Sequence, residues 1–367
     1  MAKRILIKGN QAIGEAAMRA GCRAYFGYPI TPQSELLEYM AQELPKRGGV
    51  FVQTESELAG SAMLYAATAT GVRALTSSSS PGISLMQEVM SCTAAAELPA
   101  LFVNISRGGP GSGRIVPAQS DYFQATRGGG HGDYRFLVFA PSTVREMAEY
   151  TIDAYELAEK YRVPAMILGD AMTGQSMESI EESCLEPKHP QGEKPWAVTG
   201  MKDFGEDDPR TERHLVLNHP YTDAELIEQN IRFANKYKEI EEKEIRWEEY
   251  RTEGADIIIA AFGIIARFAK TAVDLLREEG YRVGLFRPIL LWPYPSKPLA
   301  ALAENCRAIL TMEMNEGQMV EDVRLAVNGR CPVDFHGHGG GYYLNPYEMA
   351  ELIKGKYFGG EKKCAMN

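Results

Sequence analysis

Short apolar runs alternate with stretches of helical period along the first 170 positions of the chain. RILIKG (4–9), RAYFGY (23–28), VFVQTE (50–55), VRALTSS (72–78), ALFVNIS (100–106), FLVFAP (136–141) and VPAMILGD (163–170) read as strands. Between them, positions 11–20, 33–44, 56–70, 82–97 and 143–161 read as helices. Near-continuous apolar strands separated by helices of this length predict an α/β domain, a doubly wound parallel sheet covered on both faces.

The pattern breaks from about 175 to 220, where EPKHPQGEKPWAV and KDFGEDDPRTERH are rich in proline, glycine and charge and read as an irregular connection. A charged amphipathic helix is expected over 223–250. Thr222 and Glu225 form its capping box, and Ile227, Ile231, Ala234, Tyr237 and Ile240 track one face. It reads as a strut between domains, with a partner-binding helix as the alternative. From 255 onward ADIIIAAFG, YRVGLFRP (281–288), RAILTMEM (307–314) and CPVDFHG (331–337) predict a second, smaller parallel sheet. The expected organisation is 1–175, a linker and helix over 176–250, and a second α/β domain over 251–360. The tail EKKCAMN is expected to fray.

Composition narrows the function classes. The 367 residues carry 39 Lys and Arg against 49 Asp and Glu, a net charge of −10. Such a surface repels phosphate backbones, and no basic patch offsets it, so nucleic acid is not an expected partner. No run approaches ~18 apolar residues, and MAKRILIKGN is too short and polar for a signal peptide. The expectation is a cytoplasmic protein without a membrane partner. Six cysteines are scattered with no C-x-x-C pair, which argues against zinc ribbons, iron–sulfur cradles and thioredoxin chemistry.

No G-x-G-x-x-G follows a strand, Gly9 to Gly14 lacks the P-loop lysine, and no G-x-S-x-G elbow is present. The serine run 77–80, ending in Pro81 and Gly82, sits where a strand meets a helix. It reads as a plain capped turn or as a backbone cradle for a ligand. His336 and His338 form half a metal site at best, without a third ligand, and the preferred reading is a glycine-rich turn. Glu55 and Glu57 lie where VFVQTE hands over to the apolar helix LAGSAMLYAATA, either complementing its dipole or serving a ligand. Arg107 ends ALFVNIS on a glycine-rich loop, suited to a carboxylate or phosphate. Thr31, between Pro29 and Pro32, ends RAYFGY. Three strand ends thus send a hydroxyl, a carboxylate and an arginine toward one rim.

GYPITPQSE, QTESELAG, TSSSSPG and SRGGPGSG, in this order and spacing, resemble the α subunit of 2-oxoacid:ferredoxin oxidoreductases, most nearly the 2-oxoisovalerate (3-methyl-2-oxobutanoate) type. The resemblance extends over essentially the whole chain and implies a thiamine diphosphate pyrimidine-binding domain followed by a transketolase C-terminal-like domain. In that family a partner subunit holds the diphosphate half of the cofactor. By motif match Glu57 corresponds to the glutamate that hydrogen-bonds the aminopyrimidine ring and favours its imino tautomer. Thr31 and Arg107 match positions that hold the 2-oxoacid carboxylate, Ser79, Ser80, Pro81 and Gly82 form a backbone wall, and Glu55 has no catalytic counterpart. The diphosphate-binding GDG motif is missing, since Gly132-Asp133-Tyr134 and Gly169-Asp170-Ala171 differ from it. Mg2+ and [4Fe-4S] clusters are therefore expected on a β partner, with γ and ferredoxin-like subunits beside it.

The implied reaction is oxidative decarboxylation of a 2-oxoacid with CoA, yielding acyl-CoA and CO2 and passing electrons to ferredoxin. A 2-oxoglutarate enzyme is the nearest alternative and needs a further cation for the distal carboxylate, for which Arg114 and Arg127 are candidates. A non-catalytic interaction subunit with a vestigial pocket is the alternative of a different class.

Overall fold

A computed structural model describes residues 3–198, 216–220 and 222–359. KDFGEDDPRTERH and the tail EKKCAMN lie outside the described residues. In chain order the first elements are β1 (Arg4–Lys8), α1 (Gly9–Arg19), β2 (Ala24–Gly27), α2 (Ser34–Glu43), β3 (Val50–Gln53), α3 (Glu57–Ala69), β4 (Ala74–Ser78) and α4 (Pro81–Ala95). Next come β5 (Leu101–Gly108), β6 (Arg114–Pro117), α5 (Tyr122–Arg127), β7 (Leu137–Phe139), α6 (Val144–Tyr161), β8 (Ala165–Asp170), α7 (Ala171–Gln175) and β9 (Met177–Glu181). The remainder is α8 (Asp223–Lys243), β10 (Trp247–Tyr250), β11 (Ile257–Ala260), α9 (Gly263–Glu278), β12 (Val283–Pro288) and β13 (Leu290–Trp292). It ends with α10 (Ser296–Ala303), β14 (Ala308–Glu313), α11 (Met319–Val327), β15 (Val333–Gly337) and α12 (Pro346–Phe358).

The larger sheet has the order β13-β7-β8-β5-β4-β2-β3, with β6 folded back on β5. Its strands from β2 to β8 are parallel apart from β6, and β4, β5 and β8 are fully or almost fully buried, as near-continuous apolar runs require. Helix α1 packs on α2 and α6, and α3 packs on α4. The smaller sheet has the order β10-β12-β11-β14-β15 and is parallel except for the edge strand β10. Two α/β domains with parallel sheets therefore form, as the periodicity predicts.

Three local expectations fail. RILIKG does not join the larger sheet; β1 pairs antiparallel with β9, Leu6 points to solvent and the helix already starts at Gly9. A β9 strand thus lies inside the stretch expected to be irregular. The charged helix has its capping box at Thr222 and Glu225 but stops at Lys243, because Trp247–Tyr250 is taken up by pairing with β12. Only its second half packs well: Ile240 is buried, whereas Ile227 and Ile231 are exposed.

Candidate functional site

In the larger sheet, β2 leads through α2 to β3 on one side, while β4 leads through α4 to β5 on the other. The carboxyl ends of β2 and β4 therefore flank a topological switch point, where open α/β sheets form a crevice. The loop 28–33 and the turn 79–80 border it. The first holds Thr31 and the second Ser79 and Ser80, so topology gathers two of the predicted strand ends.

The 28–33 loop is fastened from three sides. Asn10 Nδ2 donates to Pro32 O at 2.9 Å, and Gln33 Nε2 donates to Tyr28 O at 3.0 Å. Arg107 Nη1 donates to Thr31 O at 2.9 Å. Beneath the loop, Ser77 Oγ donates to Gln33 Oε1 at 2.9 Å and accepts from Tyr25 Oη at 2.6 Å. Burial pushes the Tyr25 phenol up, against the opposing pull of Ser77, so it remains the donor of that chain. The Arg107 fork is braced on two carbonyls, since Nη2 also donates to Ser112 O at 2.7 Å; its Nε is buried and unpartnered.

Glu57 is the first residue of α3, N-capped by Ser56, whose side chain accepts from Ala59 N. It is 5% exposed, and among the described residues no hydrogen bond or ion pair engages its carboxylate. Its neighbours are Ser78 and Gly82. A methyl group at Gly82 would overlap Ser78 Oγ and come within 2.6 Å of Glu57 Oε1, so only glycine lets the start of α4 approach this closely. Among the described residues Ser78 Oγ and Ser79 Oγ are buried without partners. Buried polar atoms left unpaired cost free energy, so this cluster carries unmet hydrogen-bonding capacity. Glu55 is exposed and stands apart.

Ser80 behaves differently from Ser79. Its hydroxyl donates to Asp121 Oδ2 at 2.6 Å and accepts from Arg107 N at 3.0 Å, while Ser80 N donates to Asn104 Oδ1 at 3.1 Å. Asn104 Nδ2 also reaches Asp121 Oδ2, at 2.8 Å. Ser80 is thus turned into the protein and fixes both the turn and the Arg107 backbone. Asp121 and Asn104 escaped the sequence reading, although an asparagine inside the apolar run ALFVNIS is the visible trace of a buried polar network.

The segment carrying Asp121 also docks the second domain. Gln119 enters the switch point of the smaller sheet, between the ends of β11 and β14. Its Nε2 donates to Phe262 O at 2.8 Å, and its Oε1 accepts from Met314 N at 3.1 Å. Asn315 Nδ2 donates to Gln119 O, and Gln318 Nε2 to Ser120 O. The crevice of the second sheet is therefore filled by the first domain.

Between the domains lies a cleft of about 570 Å³, bordered by Ser80, Pro81, the Gly109–Gly111 loop, Asn315, Glu316 and the turn at His338. His338 Nδ1 pairs with Glu316 Oε1 at 2.7 Å. His336 is half-buried, and burial together with Lys356 pulls its pKa down. Among the described residues no group of three metal-ligating side chains is assembled. Arg127 is committed to Glu321 and Asp322, away from the rim, while Arg114 is exposed on β6. Among the described residues no helix is long and apolar enough to cross a membrane.

Residues 15–246 match a family described as pyruvate flavodoxin/ferredoxin oxidoreductase, thiamine diphosphate-binding. Residues 255–349 match pyruvate:ferredoxin oxidoreductase core domain II. Ketoisovalerate oxidoreductase subunit VorB of Methanothermobacter marburgensis is 44% identical over 349 residues, covering 95% of this chain and 96% of that protein. The 2-oxoglutarate synthase subunit KorA of Methanothermobacter thermautotrophicus is 36% identical over 379 residues, covering 96% and 99%. A solved 2-oxoglutarate:ferredoxin oxidoreductase from Magnetococcus marinus, with 2-oxoglutarate, coenzyme A and succinyl-CoA bound, superposes with a TM-score of 0.84 at 27% identity. That match covers 97% of this chain and 65% of the solved chain. A split-gene transketolase shares the fold, with a TM-score of 0.59 at 15% identity.

Proposed function

The chain belongs to the thiamine diphosphate-binding pyruvate flavodoxin/ferredoxin oxidoreductase family, and from that membership we propose that it is the pyrimidine-binding α subunit of a 2-oxoisovalerate:ferredoxin oxidoreductase. The observation that carries this reading is the Glu57 carboxylate, buried at the start of an apolar helix and engaged by no partner among the described residues. Such a group suits a ring nitrogen presented as a hydrogen-bond donor, and no water competes for it once the crevice is filled.

The residues present fit thiamine diphosphate. Glu57 would hold the aminopyrimidine ring, Ser78 and Ser79 offer unpaired hydroxyls beside it, and Gly82 removes the side chain that would block its approach. Pro81 and Ser80 close the wall, Ser80 indirectly through its bond to Asp121. When bound, thiamine diphosphate supplies the nucleophilic carbon and electron sink for cleaving the bond to a 2-oxoacid carboxylate. Thr31 and Arg107 orient that carboxylate: the hydroxyl lies on the loop that Arg107 fastens, and Arg107 Nε remains unspent.

The rest of the machinery belongs to partners. A β subunit carries Mg2+, the diphosphate site and [4Fe-4S] clusters, accompanied by γ and ferredoxin-like subunits; CoA takes the acyl group and ferredoxin the electrons. The complex works in the cytoplasm. Leu58 and Met63, 46% and 41% exposed on α3 one and six residues after Glu57, give that partner apolar surface on the same helix.

The test is Glu57→Gln in the reconstituted complex with 2-oxoisovalerate, 2-oxoglutarate and pyruvate as substrates. Turnover should fall by about 10² or more, and 2-oxoisovalerate should be the preferred acid. Near-normal turnover would remove Glu57 from its role. Preference for 2-oxoglutarate would move the assignment to that acid, with Arg114, exposed on β6, as a cation for its distal carboxylate.

A further inference from the structure

Far from the crevice, two thiols face each other at the amino-terminal ends of neighbouring strands. Cys306 stands two residues before β14 and Cys331 two residues before β15. The strands run parallel, with Ile309 opposite Val333, and the two Sγ atoms are 3.8 Å apart. We propose that Cys306 and Cys331 form a dithiol that hydrogen peroxide closes to a disulfide.

A disulfide needs a sulfur separation of about 2.05 Å, so closure asks for less than 2 Å of approach by side chains already in contact. The backbone beneath them is held in place. Ile309 N donates to Pro332 O at 2.9 Å, and Arg330 Nε donates to Glu304 Oε1 at 3.3 Å, so each loop is tied to the other on both sides of the thiols. Both cysteines are half-buried, within reach of a small oxidant, whereas Cys22 and Cys184 are buried.

The chemistry balances with peroxide as the oxidant. One sulfur, as thiolate, attacks a peroxide oxygen; an S–O bond forms, the O–O bond breaks and the departing hydroxide takes up the thiol proton as water. The second sulfur then displaces hydroxide from the sulfenic acid. An S–S bond forms, and that hydroxide leaves as water with the second thiol proton. Two thiols lose two electrons in all, and one peroxide becomes two waters. Burial holds both thiols above their ordinary range, Cys306 reaching about 12 with the Cys331 sulfur beside it. The first step is therefore slow near neutral pH, and the second is fast because it is intramolecular.

The bridge would span β14 and α11 and pin the edge strand β15. The cleft lies at the opposite, carboxyl ends of β14 and β15, so the bridge would leave it open.

The experiment uses the full-length chain, purified under reductant and then exposed to hydrogen peroxide for hours. A non-reducing digest should yield one cross-linked peptide pair containing Cys306 and Cys331, lighter by two hydrogens. Thermal unfolding should shift upward by about 5 °C, reversibly with dithiothreitol. Both changes should vanish in Cys306→Ser and in Cys331→Ser; should either variant fail to fold, the wild-type digest carries the test alone. Recovery of both residues as free thiols after Cys92 has been oxidised would overturn the proposal, as would their recovery as two separate sulfinic acids.

Discussion

The Asp121 carboxylate holds the Ser80 hydroxyl at 2.6 Å, and through it the turn that opens α4. Asp121 sits two residues after Gln119, which fills the crevice of the second sheet. One short segment therefore anchors the smaller domain and sets the wall of the candidate site. Asp121 touches neither substrate nor cofactor in the proposed arrangement, so it is a positioning residue. Asp121→Ala should lower turnover of the complex by about 10- to 100-fold, since ångström-scale misplacement is enough for that. Asp121→Asn keeps an acceptor for Ser80 and should recover a large part of it. Equal loss in both variants would show that charge, not position, is what Asp121 supplies.

Gly82 has no room for a methyl group between Ser78 Oγ and Glu57 Oε1. Gly82→Ala should displace the Glu57 carboxylate and weaken thiamine diphosphate binding in the complex at least tenfold. The α4 helix itself should persist, because alanine is the better helix former. Cofactor titration by intrinsic fluorescence, paired with circular dichroism of the chain alone, separates the two effects. Unchanged affinity would place the cofactor away from Gly82.

Gln119→Ala removes two side-chain hydrogen bonds and leaves Phe262 O and Met314 N buried without them. Each such loss costs about 1–3 kcal/mol, so denaturant unfolding should show a loss of about 2–6 kcal/mol. A cost below about 0.5 kcal/mol would mean that water replaces the amide and that Gln119 does not hold the domains together.

Arg287 of β12 grips Glu146 of α6 through two contacts, at 2.6 and 2.8 Å, joining the two domains through a partly buried ion pair. Burial pushes the Glu146 carboxyl up, but the Arg287 hydrogen bonds and charge outweigh it and hold Glu146 below its ordinary 4.5. A carboxyl depressed on folding contributes stability above its unfolded pKa and loses it as pH falls through the folded one. Arg287 keeps Glu248 as a second carboxylate partner at 3.2 Å, so Glu146→Gln should cost about 1–3 kcal/mol at pH 7. The difference from wild type should shrink once the pH drops below 4.5. Parallel melting curves from pH 7 to pH 3 measure it, and a difference that widened toward acid would contradict the ion-pair account.

Elements set by local pattern were legible in the chain. Buried parallel strands such as β5 and β8 announce themselves as unbroken apolar runs, and the capping box at Thr222 and Glu225 marks the start of α8. Elements set by a distant partner were not. RILIKG reads as a sheet strand, yet it pairs with β9 outside the main sheet. Leu290–Trp292 follows the strand YRVGLFRP of the second domain but crosses over to become the antiparallel edge of the first sheet beside β7. Nothing in three apolar residues specifies which sheet they join, because pairing is decided by the edge that folding leaves open. The site divides in the same way. Thr31, Glu57 and Arg107 were visible as polar groups at strand ends, whereas Asn104 on β5 and Asp121 ahead of α5 matter only through bonds to the distant Ser80.

By itself the sequence determined the α/β class, the two parallel sheets and the family, since apolar period, strand-end chemistry and motif order are all local to the chain. Only the tertiary structure decided that the Arg107 fork is braced on Thr31 and Ser112, that Ser80 turns inward, and that Gln119 occupies the second crevice. Apart from the Arg107–Ser112 contact, these are hydrogen bonds between groups distant in the chain. Their existence depends on how strands are ordered and how the two sheets dock, and neither is written in any window of neighbouring residues.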